Sequence, residues 1–369
     1  VPLFIFLGEI LLASGVSKRV YNGLTPLFAR VPGQLLHTNI AVCTLFGAVS
    51  GSSTSTAAAI GAVGYPELTK RGYKPSVVVG TLAAGGTLGL LIPPSLALII
   101  YGATQNVSIG QLFIAGMLPG LLIAAAFSTW IMIRSKIGES VTPTFKEKVT
   151  FKHVITGLKE IWPLPVLIFF VLGTIYLGIA TPTESAALGV VASIVLGLKW
   201  GDLTFKRLWQ AFKHASIMFT AIGMILIGTV ILSQAVSLLG IPRTAVETIG
   251  NFGLGPYGIL LMIVIVYIVL GCFFDGISLL LMTLPITFPM ITSLGFDPIW
   301  FGIIVTLLIE IGMITPPVGL NLFVLSSISK NEVNLTSAAK ASFPYWLILL
   351  GAIGVFTLFP NIILWVTTF

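Results

Sequence analysis

The chain has 369 residues, and its charged side chains, 19 Lys and Arg with 12 Asp and Glu, make up only 8% of it, whereas a soluble globular domain carries about 25%. Hydrophobic residues make up 56%, and the mean hydropathy is +1.06. This composition excludes a soluble enzyme, a disordered protein, a nucleic-acid binder and a coiled coil. Since a spanning helix takes about 20 residues, we predict an all-α polytopic membrane protein with roughly ten hydrophobic segments.

The N-terminal segment is short and mixed in character. Residues 1–16 form an apolar run that is shorter than a full span, and residues 17–34 are amphipathic. We interpret residues 1–34 as a scaffold span followed by an arm that lies in the membrane interface. Because the chain begins with Val1 rather than Met, we expect it to be part of a longer protein.

Two basic loops, at residues 134–160 and 199–214, frame the middle of the chain. The two apolar runs between them cross the membrane and return, so both loops lie on one side, which their Lys and Arg residues mark as cytoplasmic. Counting spans outward puts the basic turn at residues 70–74 on the same side. We assign residues 111–239 to scaffold spans that carry the two cytoplasmic loops.

The second half of the chain repeats the pattern of the first half at an offset of 223 residues. The matched turn is basic in the first half, whereas in the second half it carries one anion and no cation, so the two repeats have opposite orientations in the membrane. At that offset six Gly and Pro positions meet their own residue type, namely Pro66 and Pro289, Gly72 and Gly295, Pro75 and Pro298, Gly89 and Gly312, Pro93 and Pro316, and Pro94 and Pro317.

Each repeat is predicted to hold a re-entrant hairpin and then a helix broken by a Pro pair. A hairpin that enters and leaves on one side is needed to return the basic loop after the second repeat to the cytoplasm. The first transport repeat covers residues 35–110, with its hairpin at 35–67 and its broken helix at 77–104, and the scaffold spans follow it. A second interfacial arm at 240–256 leads to the second transport repeat at 257–326, with its hairpin at 257–290 and its broken helix at 299–326. A loop and a span at 327–369 complete the chain order.

The hairpin tips and the helix breaks are where we expect the chemistry. The first tip is Ala48-Val-Ser-Gly-Ser-Ser-Thr-Ser-Thr56, and the second is Gly271-Cys-Phe-Phe-Asp-Gly-Ile-Ser278. Polar, Gly-rich backbone at membrane depth is tolerated where it is buried in protein or lines a wet cavity. Each Pro of a pair lacks an N–H and frees an upstream carbonyl, and unwound carbonyls coordinate alkali cations. A single break is often a mere kink, but two matched breaks beside polar hairpins favour ion sites.

The sequence motifs resemble those of a known family in their order and spacing. The motifs are Gly51-Ser-Ser-Thr-Ser-Thr-Ala-Ala-Ala59, Lys70-Arg-Gly-Tyr73, Ile92-Pro-Pro-Ser95, Thr181-Pro-Thr-Glu-Ser-Ala-Ala187, Asp275-Gly276 and Glu310-Ile-Gly-Met-Ile-Thr-Pro-Pro-Val-Gly319. Across essentially the whole chain they resemble the large, DctM-like membrane subunit of tripartite ATP-independent periplasmic (TRAP) transporters.

The resemblance implies an elevator-type, sodium-driven importer of the bacterial inner membrane, in which a transport domain moves against a scaffold. Its substrate would be an organic acid, such as a C4-dicarboxylate or a sialic acid. Two partners are implied, a small four-helix membrane subunit and a periplasmic substrate-binding protein. Na⁺ is the implied coupling ion, and no cofactor is expected.

The resemblance also implies two sodium sites and one substrate site. Most of the sodium ligands would act through backbone carbonyls, so a site can include Ile or Val. Substrate would bind between the tips, near Ser53, Thr54, Asp275 and Asn321. The implied sodium ligands are Ser50, Ser52, Gly89, Ile92 and Pro94 in the first site, and Gly271, Gly312, Thr315 and Val318 in the second.

Three acidic residues have alternative interpretations. Asp275 is either the N-cap of the second hairpin helix or part of the functional site. An acid inside the membrane, such as Glu310, is functional by default, but we favour a hydrogen-bonded structural role within the moving domain. Glu184 follows a Pro turn and is interpreted as a helix-capping residue. The sequence indicates no metal site other than those for sodium.

Other functions are weighed against sodium-coupled uptake. The main alternative is a stand-alone ion-coupled anion symporter with the same inverted-hairpin fold. An intramembrane enzyme is not expected, because the sequence has no His-Glu-x-x-His, no Walker Gly-Lys-Ser/Thr loop and no Gly-x-Ser-x-Gly. A non-transporting scaffold is a further class. Against it, replacing Gly89 or Gly312 by a bulky residue is expected to abolish sodium-dependent uptake while leaving assembly intact, and unchanged uptake would argue against the ion sites.

Overall fold

The computed structural model describes residues 1–137, 151–241, 244 and 255–368, and this part of the chain consists of helices joined by turns, without β-strands. Among the described residues six helices are long and apolar enough to cross a membrane, or seven when one bent pair counts as a span. The chain is therefore a multi-pass membrane protein, as its composition predicts.

The helices of the described residues are numbered here in chain order. They are α1 (Pro2–Ala13), α2 (Val16–Phe28), α3 (Leu35–Ser50), α4 (Ser53–Lys70), α5 (Pro75–Leu91), α6 (Leu96–Gln105), α7 (Ile109–Lys136), α8 (Phe151–Ile161), α9 (Pro163–Tyr176), α10 (Pro182–Lys199), α11 (Phe205–Leu238), α12 (Pro256–Gly271), α13 (Gly276–Ser293), α14 (Pro298–Met313), α15 (Leu320–Ile328), α16 (Leu335–Leu358) and α17 (Asn361–Leu364), with a 3-10 turn at Trp365–Thr368.

The first predicted hairpin consists of α3 and α4, which are joined by Gly51 and Ser52. Helix α3 ends because Gly51 has a left-handed φ of +60°, a conformation that glycine adopts without steric cost. Helix α4 begins because the Ser52 hydroxyl accepts a hydrogen bond from the backbone N–H of Ser55 at 3.4 Å, as an N-cap serine does. The connection is only two residues long, because α3 ends at Ser50 and α4 begins at Ser53.

The second predicted hairpin consists of α12 and α13, which are joined by residues 272–275. Asp275 begins α13, because its carboxylate accepts hydrogen bonds from the backbone N–H groups of Ile277 at 3.0 Å and Ser278 at 3.3 Å. The Ser278 hydroxyl donates to the same carboxylate. All of these contacts lie within one helix start, so the N-cap interpretation of Asp275 describes its geometry.

The two predicted broken helices are α5 with α6 and α14 with α15. Both Pro pairs lie in the breaks, and the Pro93–Pro94 and Pro316–Pro317 peptide bonds are cis. Helix α6 restarts at the N-cap Ser95, whose hydroxyl accepts from the Leu98 N–H at 3.3 Å. Helix α15 restarts instead after Gly319, which has a left-handed φ of +49°. The helices thus end at the prolines, which cannot donate to the preceding turn.

The centre of the molecule is formed by α5 and α14. Every residue from Val77 to Leu91 in α5 is buried, as is every residue from Trp300 to Met313 in α14. By contrast α11 has mostly exposed side chains, many of them large and apolar, such as Ile217, Met224 and Ile231. Exposed apolar faces on long helices are expected where lipid or another membrane protein is the solvent.

Helix α8 lies in the segment that we predicted to be a cytoplasmic loop, residues 134–160. Residues 134–136 of that predicted loop belong to the end of α7, while residues 138–150 and most of the predicted second arm at 240–256 lie outside the described residues. Helix α8 packs across α2, the predicted first interfacial arm. At the crossing a Cβ built on Gly157 would lie 2.2 Å from the Gly23 carbonyl oxygen, so the two backbones touch.

Candidate functional site

The first hairpin tip is hydrogen-bonded to the first helix break. The backbone N–H of Leu96, just past the Pro pair, donates to the Gly51 carbonyl at 3.2 Å. A Cβ built on Gly51 would lie 3.1 Å from the Pro94 carbonyl oxygen. Glycine is required here both for its positive φ and for this close approach. Tip and break therefore form one packed unit.

Hydroxyl and carbonyl oxygens converge inside this unit. The hydroxyl oxygens of Ser50 and Thr56 are 2.6 Å apart, and the Thr56 hydroxyl donates to the Ser52 carbonyl at 2.7 Å. A Cβ built on Gly89 would lie 2.8 Å from Thr56 Oγ1 and 3.0 Å from the Ser52 carbonyl oxygen. The structure thus brings Ser50, Ser52 and Gly89 together. It adds Thr56, a tip hydroxyl that the sequence reasoning did not select.

The first break leaves backbone carbonyls without helical partners. In an α-helix the carbonyls of Gly89 and Leu90 accept from the residues four positions later, which are Pro93 and Pro94 and have no N–H. The Ser95 hydroxyl donates to the Leu90 carbonyl in place of the missing N–H. The Gly89 carbonyl is therefore the one of the two that α5 leaves open to a ligand.

The two remaining predicted ligands of the first site, Ile92 and Pro94, are buried in the break itself. The Ile92 side chain packs against α7, where a Cβ built on Gly120 would lie 2.5 Å from Ile92 Cγ1. Because this side chain is occupied in packing, Ile92 can reach a ligand only through its backbone. That geometry agrees with ligation by carbonyls.

The second tip meets the second break in a similar way. The backbone N–H of Val318, just past the Pro pair, donates to the Cys272 carbonyl at 3.3 Å. Gly271 and Gly312 are in contact, since a Cβ built on Gly312 would lie 2.6 Å from Gly271 Cα. The Thr315 N–H donates to the Gly312 carbonyl at 3.1 Å. The four predicted residues of the second site are therefore brought together.

The two sites differ in how far they are exposed. Ser50 and Ser52 are 5% and 8% exposed, whereas Val318 is 36% exposed and its neighbour Phe273 is 61% exposed. A cavity of about 760 Å³ borders the second break and extends along α16 to Lys340. The residues predicted for the first site are therefore buried, whereas Thr315 and Val318, predicted for the second, line this cavity.

The predicted substrate residues divide into two groups. The Asn321 amide donates to the Ser53 hydroxyl at 2.8 Å and to the Ala83 carbonyl at 3.3 Å, joining α15 to the first tip. Thr54 lies beside them, with its hydroxyl 3.4 Å from the Ser52 hydroxyl. Asp275 is exposed at the other tip, and its hydrogen bonds stay within its own helix start. The structure thus gathers three of the four predicted residues.

An acidic residue that the sequence reasoning missed lies beside the first tip. Glu9 of α1 lines a small cavity with Ser50, Ser52 and Ser55. Its neighbour Gly8 packs directly on the hairpin, because a Cβ there would lie 3.0 Å from Ser50 Cα. Glu9 also lies 4.0 Å from the His214 ring of α11. A lone acid in the first apolar run was the sequence signal for it.

Two further acids are now assigned by their contacts. Glu184 and Thr181 form a capping box at the start of α10, with the Thr181 N–H donating to the Glu184 carboxylate at 2.8 Å, which confirms the capping interpretation. Glu310 is fully buried, and neither carboxylate oxygen has a hydrogen-bond partner among the described residues. The expectation that the Glu310 carboxylate is hydrogen-bonded within its domain is therefore wrong among the residues that the structure describes.

Comparison with known proteins gives the family and the fold. The sequence model of the DctM component of tripartite ATP-independent periplasmic transporters matches residues 1–362. The C4-dicarboxylate TRAP transporter large permease protein DctM of Rhodobacter capsulatus is 35% identical over 380 residues, covering 98% of this chain and 84% of that protein. The ectoine/5-hydroxyectoine TRAP transporter large permease protein UehC of Ruegeria pomeroyi is 34% identical over 369 residues, covering 99% and 84%.

A solved structure resembles the fold at low sequence identity. The YdaH transporter of Alcanivorax borkumensis superimposes with a TM-score of 0.60 at 15% identity, covering 97% of this chain and 86% of that one. This likeness shows a polytopic membrane transporter fold, and the sequence matches show the family. The chain therefore belongs to the DctM component family of the tripartite ATP-independent periplasmic transporters, and it is a transport permease rather than an enzyme.

Proposed function

We propose that this permease couples the inward movement of sodium to the uptake of an organic acid. The observation that carries the proposal is the paired arrangement of tips and breaks. In each half an amide just past a Pro pair is hydrogen-bonded to a hairpin-tip carbonyl, at Gly51 and at Cys272. Each break also leaves a carbonyl whose i+4 partner is a proline and which its own helix therefore cannot satisfy, Gly89 in the first break and Met313 in the second. Unwound carbonyls at the bilayer midplane are the usual ligands of coupling ions in secondary transporters.

The first sodium site consists of Ser50, Ser52, Gly89, Ile92 and Pro94, and the second of Gly271, Gly312, Thr315 and Val318. In both, the oxygens are carbonyls and hydroxyls, which suit a small hard cation. Support comes from the Thr56 hydroxyl, which lies 2.6 Å from the Ser50 hydroxyl and 2.7 Å from the Ser52 carbonyl and packs closely on Gly89. The contact between Gly271 and Gly312 supports the second site in the same way.

The substrate binds between the tips, near Ser53, Thr54, Asp275 and Asn321. Support for the first part of this site is the hydrogen bond between Asn321 and Ser53, because it places an amide from one half at the tip of the other. One relative is named for C4-dicarboxylate and another for ectoine, and both molecules carry carboxylates. We therefore propose a carboxylate as substrate.

The transport mechanism is of the elevator type, with two inverted repeats as the moving domain. The repeats cover residues 35–110 and 257–326, and the scaffold includes residues 1–34 and 111–239. Support is the packing of α1 against α10 and α11, which joins the helices assigned to the scaffold to one another. In the bacterial inner membrane the permease works with a small four-helix membrane subunit and a periplasmic protein that delivers the substrate.

Reconstitution of the full-length permease into proteoliposomes tests this proposal. Uptake of a radiolabelled organic acid is expected only with an inward sodium gradient, the small subunit and the substrate-loaded binding protein. Replacing the sodium gradient with a potassium gradient serves as the control. Uptake of free substrate by the permease alone would overturn the tripartite mechanism and favour the stand-alone anion symporter.

A further inference from the structure

The indole of Trp346 reaches across from α16 to the second helix break. Its Nε1–H donates to the hydroxyl oxygen of Thr315 at 3.0 Å. Both side chains line the cavity of about 760 Å³ beside the break. Helix α16 follows the second repeat in the chain, so this bond joins a break residue to a different element, 31 residues later.

The hydrogen bond from Trp346 restricts the orientation of the Thr315 hydroxyl group. A hydroxyl has one hydrogen to donate and two lone pairs that accept. The Thr315 hydroxyl donates its hydrogen to the Ile311 carbonyl of the preceding turn. One lone pair accepts the Trp346 indole hydrogen. The remaining lone pair is therefore left for a ligand, and the hydrogen is held away from it, as a bound cation requires.

The first break has no equivalent of this arrangement. Ile92, which matches Thr315 at the repeat offset, has no hydroxyl, and its side chain packs against Gly120 of α7. Helix α7 follows the first repeat as α16 follows the second, so each break is supported by the next helix. The contact from that next helix is apolar packing at Ile92 in the first break and a directed hydrogen bond at Thr315 in the second. This difference accompanies the greater exposure of the second site.

We infer that Trp346 is a positioning residue for the second ion site, because it sets the orientation of the Thr315 hydroxyl oxygen. This inference rests on the proposed function, since it takes Thr315 as a sodium ligand. Trp346 itself does not touch the ion. Its loss leaves the Thr315 hydroxyl oriented by the Ile311 carbonyl alone, so that the hydroxyl hydrogen turns toward the site more readily and weakens cation binding.

The test compares the Trp346→Phe variant with the wild-type permease in detergent. The measured quantity is the sodium concentration that gives half of the maximal rise in thermal unfolding temperature. We expect W346F to raise this concentration about three- to tenfold, the range that the loss of one net hydrogen bond gives. Substituting potassium for sodium should produce no comparable rise in either protein.

Trp300→Phe is the matched control. The Trp300 indole also donates one hydrogen bond, to the Phe356 carbonyl at 2.8 Å, but at the opposite end of α14. W300F is therefore expected to lower the unfolding temperature without changing the sodium midpoint. Equal midpoints in W346F and W300F would overturn the inference and leave the proposed function intact. A wild-type permease without any sodium response would instead overturn the proposed function.

A spectroscopic measurement covers the case in which W346F does not fold. In wild-type permease labelled with 5-fluorotryptophan, the ¹⁹F resonance of Trp346 is identified as the one that Thr315→Val moves. We expect sodium to shift this resonance with the midpoint of the stability titration. Thr315→Ser, which keeps the hydroxyl, should retain the shift. A Trp346 resonance that sodium leaves unmoved would contradict the inference.

Discussion

Single glycines set the distance between the second tip and its break. A Cβ on Gly312 would meet the Cα, carbonyl carbon and carbonyl oxygen of Gly271 at 2.6 to 2.9 Å. All three are backbone atoms, which cannot rotate away as a flexible side chain does. The absence of a side chain at Gly312 is therefore a requirement of this packing, and not a matter of helix propensity.

Gly312→Ala is expected to abolish sodium-dependent uptake and to destabilise the permease by about 1–3 kcal/mol, the range for overpacking. The physical reason is that the tip must move off the break to admit the methyl group. Uptake in proteoliposomes and the thermal unfolding temperature measure the two effects. Gly351→Ala in α16 is the control, since a Cβ there has no neighbour within 4 Å. Full uptake by G312A would contradict the assignment of Gly312 to the second site.

At the scale of elements, α8 is a helix within a basic segment that the sequence predicts to be a loop. Its Lys152 and Lys159 are two of the six basic residues that predict a loop over residues 134–160. The helix packs on α2 through Gly157 and Ile161, which are buried, whereas its apolar residues Ile155 and Leu158 are 40% and 46% exposed. An ion pair between Arg19 and Glu160, 3.7 Å apart at the exposed edge, adds little to this packing. Backbone contact between the two glycines holds the crossing.

Gly157→Ala is expected to separate α8 from α2, because its methyl group would collide with the Gly23 carbonyl oxygen. We expect a loss of about 1–3 kcal/mol in local stability. Hydrogen exchange should show faster exchange of the α8 amides while the amides of α5 stay protected. Gly173→Ala in α9 is the control, because a Cβ at that position meets nothing within 4 Å. Unchanged exchange in α8 would contradict the backbone contact.

At the scale of the whole molecule, Asn321 connects the two halves. The Ser53 hydroxyl and the Ala83 carbonyl, both in the first half, accept its amide hydrogens. Asn321 is fully buried, and its own oxygen has no hydrogen-bond partner among the described residues. Buried polar groups usually have a partner. This oxygen is therefore available to accept a hydrogen bond from a ligand at the proposed substrate site.

Asn321→Ala is expected to destabilise the permease by about 1–3 kcal/mol, since it removes two buried hydrogen bonds, to the Ser53 hydroxyl and the Ala83 carbonyl. It should also lower the rate of substrate uptake more than it changes sodium-dependent stabilisation. Combining it with Ser53→Ala should be less damaging than the sum of the two changes. Ser327→Ala is the control on the same helix, because Ser327 is exposed and bonds only within α15. Additive effects of N321A and S53A would contradict the connection between the halves.

Much of the site could be predicted from local sequence. Pro93, Pro94, Pro316 and Pro317 lack an N–H wherever they are placed, so the breaks and their freed carbonyls follow from chemistry within one helical turn. The hairpin turn at Gly51 is equally local, since it needs a residue that tolerates a positive φ. Hydropathy likewise determined the membrane class, because each spanning helix must satisfy its backbone within itself.

The contacts between distant residues were decided by the tertiary structure alone. Asn321 and Ser53 are 268 positions apart, and no short-range pattern joins them. Glu9 lies beside the first tip because α1 packs on α3, and Trp346 meets Thr315 because α16 crosses the second break. Packing also left Glu310 without a described partner. The sequence by itself determined where the helices break, and packing determined which side chains surround each break.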